Sequence, residues 1–356
     1  MIVAKQSVGI DVSKDDFHVR ILRRESVSGK FFKHRGIKKF DNTLSGFKKF
    51  NQWLHKYTDR SVSLSLVMEA TGVYHEELAY FLHQQEYRVS IELPNKVSQF
   101  AKSYNLHSKT DILDAEIIAL LGLERHLDAW QPPSKSLRKL RLLTRQHQSI
   151  TESKTMFKNQ LHAVRHSADP MPEVVMRYKT IIAVCEQELA AIDKSIKQLI
   201  ELDEKLDEVI GLLVSIPGIA LKTASAIAAE TGCFQLFNSR SQLIKYSGMD
   251  IVDKQSGSSV RGKPRLSKRG NARVRRALYM PSIQFVNKDD VFGKLYRRVL
   301  ERTGIPKKAL VAVQRKLLIV MYGVVKNGTP YDTQRHLARH KKEVGDTKFA
   351  YSDSIS

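Results

Sequence analysis

Short β-rich runs alternate with helical patterns over residues 1–130, and this alternation restricts the fold more than any other feature of the sequence. Alternating apolar residues predict strands, whereas apolar residues three and four apart predict helices. The predicted elements, in chain order, are strands at 8–11, 17–22 and 30–34, a helix at 44–57, a strand that ends at Glu69, a helix near 75–85 and a strand at 88–93. Strands interleaved with helices predict a mixed α/β sheet.

A proline-containing segment, "WQPPSKS" (130–136), ends this first domain, because consecutive prolines end regular structure. We expect a helical region over 131–208, in which apolar residues repeat on both sides of a turn at 167–173. The residues of this apolar stripe are Leu137, Leu140, Leu143, Leu189, Ile192, Ile196 and Leu199. Their spacing indicates a coiled-coil-like antiparallel pair or a dimerisation arm. The alternative is a helical spacer that buries its stripe within the monomer.

A third predicted region covers 209–334, and near its start lies "LLVSIPGIALKTASAIAAETG", a helix, a Pro-Gly turn and an Ala-rich helix. In a helix-hairpin-helix, a turn of this kind exposes backbone N–H groups at a helix N-terminus, where a DNA phosphate can bind. Gly218, Lys222 and Thr223 are the candidate contacts in this element. A plain αα-hairpin is the alternative. The last segment, 335–356, is polar and is predicted to fray.

The charge of the chain indicates its partner. Its 356 residues include 59 Lys and Arg against 37 Asp and Glu, which gives a formal charge of +22. Such a charge points to a polyanion, because each cation laid on a phosphate releases condensed counterions. A membrane partner is not supported, since no run of about 18 apolar residues occurs and Asp11 comes too early for a secretory signal. Cys185 and Cys233 form no CxxC pair, so we expect neither a disulfide framework nor a zinc ribbon, and a cytoplasmic protein that binds nucleic acid.

Basic residues are concentrated in "KQSGSSVRGKPRLSKRGNARVRR" (254–276), which contains no carboxylate. Its candidate nucleic-acid contacts are Lys254, Gly257, Arg261, Lys263, Arg265, Lys268, Arg269, Arg273, Arg275 and Arg276. A serine in this strip can act as a nucleophile if its proton is removed or if the phosphate is activated. Chemistry alone does not choose among Ser256, Ser258 and Ser259. The alternative is a phosphate-binding loop in which all three serines only donate hydrogen bonds.

Four carboxylates have the positions that a metal site requires. Asp11 and Glu69 each lie at the end of an apolar strand, where a carboxylate is costly unless it is at the rim of the sheet or neutralised by a cation. Asp111 and Asp114 are three residues apart, so a helix places both on one face. Hard oxygen donors suit Mg²⁺ or Mn²⁺. Each acid alone could be a turn residue, an N-cap or an ion-pair partner, and it is their combination that predicts a metal site. Glu116 is turned by roughly 200° from Asp114 around the helix axis and is left out.

Five segments occur in the order found in one family. They are "GIDVSKDDFHV", "MEATGVY", "KTDILDAEIIA", "SIPGIALKTASAIAAETG" and "SGSSVRGKPRLSKRGNARVRRALYMPSI". On these segments, from about Val8 to Pro330, the chain resembles the DEDD transposases of the insertion sequence one-ten family, relatives of the Piv DNA invertases. Five separate motifs in one order are not expected by chance.

The resemblance implies the fold and the site residues. Residues 1–130 would form a RuvC-like RNase H fold, and 209–334 would form a mainly helical transposase domain with a helix-hairpin-helix-like element. The first serine of the "SGSS" stretch, Ser256, would be the nucleophile. The acidic tetrad of the family would be Asp11, Glu69, Asp111 and Asp114.

The resemblance also implies partners. Family members are similar in being RNA-guided recombinases, in which a non-coding RNA from the element's own end pairs with both target and donor double-stranded DNA. They act as homo-oligomers up to tetramers, and the tetrad of one subunit meets the serine of another across a coiled-coil contact.

Three other functions fit parts of the pattern. A RuvC-like endonuclease would cut with activated water and leave Ser256 idle. An actin-like or sugar-kinase-like ATPase also begins with a "GID" strand, but the chain has no Gly-Gly pair and no P-loop. An architectural nucleic-acid binder would explain the charge, but it would leave four carboxylates in a basic protein without a purpose.

Overall fold

The computed structural model describes the backbone of residues 3–34, 36–70, 72–104, 111–252, 255–256, 260–261 and 265–334. It describes the side chains of the same residues except 111–113, 255–256 and 260–261. The chain divides after Pro132 into two compact units. In the part of the chain that the structure describes, no helix is long and apolar enough to span a membrane.

The first unit is mixed α/β, as the sequence predicts. Its elements are β1 (Val3–Val12), β2 (Asp16–Glu25), β3 (Phe31–Lys33), β4 (Lys38–Asp41), α1 (Leu44–Tyr57), β5 (Leu64–Glu69), α2 (Glu76–Gln84), β6 (Val89–Glu92), α3 (Pro94–Ser103) and α4 (Asp111–Glu124). The predicted strands and helices are confirmed in order and position. The sequence analysis missed β4 and α3, although Pro94 at the first turn of α3 is a recognised start signal.

One sheet organises this unit, with strands in the order β3-β2-β1-β5-β6 and with β4 also paired to β2. β1 and β2 are antiparallel neighbours, whereas β1, β5 and β6 run parallel. Parallel strands require crossover connections, and α1 and α2 are these connections. The carboxyl ends of β1, β5 and β6 therefore lie at one edge of the sheet.

Two apolar layers cover the two faces of the sheet. On one face, Val8 and Ile10 of β1 belong to a core shared with buried residues of α1 and α2. On the other face, Val67 of β5 belongs to a separate core with α3 and α4. Side chains alternate across a strand, so Ser7 and Gly9 face the α4 layer.

The second unit is mainly helical. Its elements are α5 (Lys135–Arg165), α6 (Pro172–Glu201), α7 (Glu204–Val214), α8 (Leu221–Thr231), α9 (Arg240–Ser247), β7 (Ile251–Val252), β8 (Gln255–Ser256), β9 (Val260–Arg261), β10 (Arg265–Leu266), α10 (Ala272–Ala277), α11 (Tyr279–Ile283), α12 (Val291–Thr303) and α13 (Pro306–Asn327). The core joins α5, α6, α7, α8 and α13 around residues such as Ile227 and Leu317.

The long helices α5 and α6 form an antiparallel pair. Pro172 starts α6 after the turn, and Lys158 of α5 lies 3.4 Å from Glu186 of α6. In this pair the predicted stripe residues Ile192 and Ile196 are buried within the unit's own core. The stripe is thus used at least in part inside the monomer.

The α7–α8 hairpin has the turn that the sequence predicts. Ile216 and Ile219 are buried on either side of Gly218, whose φ is +85°. A Cβ at Gly218 would also lie 3.3 Å from the Phe285 ring, so the turn requires glycine for its backbone conformation.

Candidate active site and nucleic-acid surface

Asp11 and Glu69 lie side by side at the carboxyl ends of two neighbouring strands. β1 and β5 pair in parallel up to Ile10, which is opposite Met68. The next residue on each strand is the acid, so the register makes Asp11 and Glu69 neighbours across strands about 4.8 Å apart. Both acids are half-buried. The two predicted strand-end acids are therefore brought together.

Helix α4 packs on this face of the sheet with its backbone. A Cβ added at Gly9 would lie only 2.0 Å from the Ala115 carbonyl oxygen. A Cβ added at Gly122 would lie 2.2 Å from Ser7 Oγ. Ser7, Gly9 and Asp11 alternate along β1 on one face, so α4 covers the face to which Asp11 belongs.

The direction of α4 brings its first turn to the acidic end of the sheet. The start of α4 is near Gly9 and its later turns are near Ser7, so the helix runs antiparallel to β1. Asp114 precedes Ala115 and is half-buried. Asp111 is the first residue of α4, one turn earlier, and its side chain lies outside the described residues.

The acids present are suited to a divalent cation. Carboxylate oxygens are the hard donors that Mg²⁺ and Mn²⁺ prefer, and the N-terminus of α4 favours negative charge beside it. Within the described side chains, which exclude Asp111, no group of three or more His, Cys, Asp or Glu is close enough to be a metal site. The metal site of the sequence analysis therefore stays a prediction.

Two residues that the sequence analysis did not single out accompany the acids. His18 pairs with Asp11 across β1 and β2, and Arg20 pairs with Gly9. Arg20 contacts Glu116 at 2.9 Å, and Lys33 contacts the same carboxylate at 2.8 Å. Glu116 is thus an ion-pair partner of two cations. The two-residue spacing of His18 and Arg20 on a predicted strand is the sequence signal that would have found them, because it puts both side chains on one face.

A β-hairpin in the second unit contains the candidate nucleophile. β7 pairs with β10, and between them in the chain Ser256 of β8 pairs with Val260 of β9, both antiparallel. The Ser256 side chain lies outside the described residues, as do Ser258 and Ser259. The backbone register places Ser256 opposite Val260.

The base of this hairpin is tied to α9 by backbone bonds. Ser267 N–H donates to the Asp250 carbonyl at 2.9 Å, and Lys268 N–H donates to the Gly248 carbonyl at 3.1 Å. Ser267 Oγ also donates to the Asp250 carboxylate. At Gly248, φ is +66° and an added Cβ would lie 3.0 Å from the Lys268 backbone, so the close approach requires glycine.

Glu230 of α8 is a buried acid at the centre of this base. Its carboxylate accepts two bonds from Arg145, at 2.7 and 3.0 Å, and one from Asn271 Nδ2 at 2.7 Å. Tyr246 Oη donates to the Glu230 carbonyl at 2.7 Å, and Asn271 N–H donates to the Tyr246 carbonyl. The helices before and after the hairpin, α9 and α10, are thereby fixed to α8 and α5.

The protonation of this network follows from its contacts. Burial alone raises the pKa of Glu230, but hydrogen bonds from Arg145 and Asn271 and the charge of Arg145 hold that pKa below its ordinary value. Burial raises the pKa of Tyr246, whose hydroxyl therefore stays a donor at neutral pH. An ionised Glu230 is the state that this arrangement stabilises.

Comparison with known families decides the relationship. A model of DEDD transposases of the IS110 type matches residues 8–167, which include the acidic end of the sheet. A second model, described as the transposase IS116/IS110/IS902 family, matches residues 211–297, which include the Ser256 hairpin. This chain belongs to the IS110 transposase family. It is therefore an enzyme of DNA transposition or recombination.

Relatives of this transposase agree with the assignment. The chain is 29% identical over 336 residues to the pilin gene-inverting protein of Moraxella bovis, covering 94% of this chain and 100% of that protein. The same identity and coverage hold for the pilin gene-inverting protein of Moraxella lacunata. An uncharacterised 43.6 kDa protein of insertion element IS110 from Streptomyces coelicolor is 26% identical over 35% of this chain and 30% of its own length.

Solved structures are more distant. A fowlpox virus resolvase in complex with Holliday junction DNA is 15% identical and covers 35% of this chain and 97% of its own, with a TM-score of 0.26. A PPX-GPPA enzyme of Aquifex aeolicus is 10% identical over 54% of this chain and 92% of its own, with a TM-score of 0.22. Scores this low carry no argument about the fold of the transposase.

Some of the predicted nucleic-acid contacts of the transposase are bonded to other parts of the protein, and others are exposed to solvent. Arg275 donates to the Ser247 carbonyl at 2.8 Å and to the Gly270 carbonyl at 3.3 Å, so it holds the base of the hairpin. Lys222 pairs with Asp193 at 3.0 Å. The contacts that face solvent are Arg265, Lys268, Arg269, Arg273 and Arg276. Lys254, Gly257 and Lys263, together with the side chain of Arg261, lie outside the described residues.

Proposed function

We propose that this transposase cuts and rejoins double-stranded donor and target DNA through a covalent link between Ser256 and a DNA phosphate. The observation that supports the proposal is the convergence of β1, β5 and the start of α4 at one end of one sheet face. The four acids Asp11, Glu69, Asp111 and Asp114 belong to these three elements. A basic hairpin that contains Ser256 then provides the second reacting part.

The first domain is proposed to be a RuvC-like RNase H fold. Its support is the sheet itself, in which an antiparallel β1–β2–β3 ribbon continues into parallel β5 and β6. The acids then belong at the carboxyl ends of the parallel strands, the usual place for ligand sites in open α/β sheets. The domain limits of 1–130, 131–208 and 209–334 are part of this proposal.

The acidic tetrad is proposed to hold Mg²⁺ or Mn²⁺. When bound, such a cation supplies Lewis-acid activation of a phosphate and stabilises negative charge in the transition state. The protein's own contribution is to hold hard oxygen donors together at a fixed end of the sheet. The close contacts of α4 with the sheet at Gly9 and Gly122 support this placement, because a shift of the helix would create either a clash or a void.

The proposed serine step conserves bond energy. The Ser256 hydroxyl loses its proton to a base, its Oγ forms a bond to phosphorus, and the bond from phosphorus to a deoxyribose oxygen breaks. The departing DNA oxygen takes up a proton, and the reverse reaction reseals the strand. One phosphodiester replaces another, so strand exchange requires no ATP. The protein's own contribution in the second unit is a base for the hairpin that is fixed through Glu230 and Asn271.

The remaining parts of the proposal concern partners. A non-coding RNA encoded by the element is proposed to guide the enzyme by pairing with both DNA partners, and the formal charge of +22 suits two kinds of nucleic acid. The α7–α8 turn at Gly218 is proposed to act as a helix-hairpin-helix-like DNA contact. The α5–α6 pair is proposed to act as a coiled coil in a dimer or tetramer, with the cytoplasm as the compartment.

The test is a denaturing gel of the transposase with labelled duplex DNA, the candidate element RNA and Mg²⁺. We expect a covalent protein–DNA band in the wild type and none in Ser256→Ala or Asp11→Ala. Ser258→Ala is the matched control and should keep the band. If DNA is cut without a band and Ser256→Ala cuts equally well, the enzyme is a RuvC-like endonuclease and the serine mechanism is wrong.

A further inference from the structure

A cavity of about 330 Å³ lies among α5, α8, α10 and α11 in the second unit. This volume is at the lower end of the range of about 300 to 1,000 Å³ that ligand pockets occupy. Part of the lining is apolar, and we call this part the apolar wall. Its residues are Ile196, Ala226, Ala277, Met280 and Pro281.

The rim of the cavity is basic. Lys222 projects from the first turn of α8, and Arg273 and Arg276 project from α10. Arg276 pairs with Glu152 of α5, and Lys222 pairs with Asp193. Among the described residues, Arg273 forms no ion pair. These three cations and Glu152 line the cavity together with the Arg145–Glu230 ion pair, so the charged lining is net positive.

The two ion pairs at the rim are replaceable. The side chains of Arg276 and Glu152 are 59% and 54% exposed, and that of Lys222 is 59% exposed. Exposed pairs of this kind contribute little to stability, so a phosphate can displace the carboxylate at small cost. The Arg276–Glu152 pair joins α10 to α5 in the lining of the cavity, and exchange of Glu152 for a phosphate would leave Arg276 bound to that phosphate.

His147, which also lines the cavity, adds no positive charge to it. Burial and the positive charge of Lys222 lower the pKa of His147, so its ring is neutral at pH 7. The positive charge at the rim therefore comes from lysine and arginine.

We propose that this cavity binds a single unstacked nucleotide, with the base against the apolar wall and its phosphate between Lys222, Arg273 and Arg276. A bare phosphate would leave the apolar wall in water, and an intact base pair is too large for this volume. Single strands supply unstacked bases, which proteins commonly bind by contact with the base face. The inference rests on the proposed function in taking nucleic acid to be the partner. The nucleotide can come from the guide RNA or from a displaced DNA strand.

The first test fills the cavity without changing a charge. Ala226→Leu places a larger side chain at the apolar wall, and Ala190→Leu, on an exposed face of α6, is the matched control. Short single-stranded RNA and DNA with 2-aminopurine at one position are titrated with the full-length protein. We expect a rise in fluorescence as the base leaves the stack, and binding at least about fivefold weaker in Ala226→Leu.

The RNA and DNA oligonucleotides distinguish the two possible sources of the bound nucleotide. A response confined to RNA assigns the cavity to the guide, and a response confined to DNA assigns it to a displaced strand. If Ala226→Leu binds both strands as tightly as Ala190→Leu and gives the same fluorescence, the proposal is wrong. Circular dichroism of both variants establishes that each is folded.

The second test uses the sign of two charge substitutions. Arg276→Gln should weaken single-strand binding and lower the salt dependence by about one phosphate contact, whereas Glu152→Gln should tighten binding because it removes the competing carboxylate. A merely structural ion pair would make both substitutions act in the same direction. That outcome would overturn the proposal.

Failure here is distinguishable from failure of the proposed function. Wild-type protein that binds duplex DNA and forms the Ser256 adduct, but shows no effect of Ala226→Leu, refutes the cavity alone. Wild-type protein that binds no nucleic acid at all refutes both.

Discussion

Replacing Glu230 by Gln should destabilise the helical unit by about 2 to 3 kcal/mol. The carboxylate is 3% exposed and accepts three hydrogen bonds, two from Arg145 and one from Asn271. Removing one partner of a fully buried ion pair costs about 3 to 5 kcal/mol. The Arg145 side chain is 41% exposed and keeps part of its hydration, so the cost falls below that range.

Two spectroscopic probes report on different units, so the effect of Glu230→Gln on the helical unit can be measured separately. Both tryptophans, Trp53 and Trp130, belong to the unit before Pro133, whereas most helix belongs to the other unit. The urea concentration at the unfolding midpoint should fall by about 1 M when unfolding is monitored by far-UV circular dichroism. The midpoint monitored by tryptophan fluorescence should not change. Glu188→Gln, on an exposed face of α6, is the control and should change stability by less than about 0.5 kcal/mol.

The pH dependence supplies an independent check. The folded-state pKa of Glu230 is depressed below the ordinary value of 4.5, so its stabilisation is present above that value and is lost as pH falls through the folded pKa. The difference between wild type and Glu230→Gln should therefore shrink below about pH 4.5. A circular-dichroism midpoint that moves by less than about 0.3 M at pH 7, or a difference that grows on acidification, would refute the reasoning.

Other expectations follow from the acidic end of the sheet and from the charge. Asp11→Ala and Asp114→Ala should abolish strand transfer while the circular-dichroism spectrum stays unchanged. Glu116→Ala is the control: it removes ion pairs with Arg20 and Lys33 and should keep most of the strand transfer. Recombination in either tetrad variant would contradict the assignment. Gly9→Ala should cost more than about 3 kcal/mol in thermal or urea unfolding, because the new methyl group would lie 2.0 Å from the Ala115 carbonyl oxygen. Duplex affinity should fall steeply and linearly on a log–log plot as salt rises, and a flat plot would exclude the basic hairpin as a phosphate contact.

The elements of the first unit were largely predictable because each has a strong local signal. The helix at Leu44–Tyr57 shows an apolar face, and Thr43 caps it by accepting from Gly46 N–H. β4 was missed because its four residues, Lys38–Asp41, expose all but Phe40 and depend on pairing with β2 for their conformation. Strand pairing of that kind is a tertiary effect with little trace in a short sequence window.

The candidate site was predictable in its residue types and not in its arrangement. Strand-end acids and an acidic pair on a helix are visible in the sequence, but the register of Asp11 against Glu69 is set by strand pairing. Glu230 was missed because it looks like an ordinary acid near a helix end. Its partner Arg145 is 85 residues away in the chain, so only the folded unit reveals the pair.

The packing of α4 on the sheet has a consequence for protein engineering. At Gly9 the main chain of β1 meets the main chain of α4, and at Gly122 the main chain of α4 meets the side chains of Ser7 and Val67. The separation of the acidic groups therefore depends on these two close contacts more than on the larger side chains that fill the rest of the layer. Substitutions elsewhere in that layer can then change thermal tolerance and leave the spacing of the acids untouched. A designer who wants a more robust enzyme can vary residues such as Val97 and Ile118, and must keep both glycines.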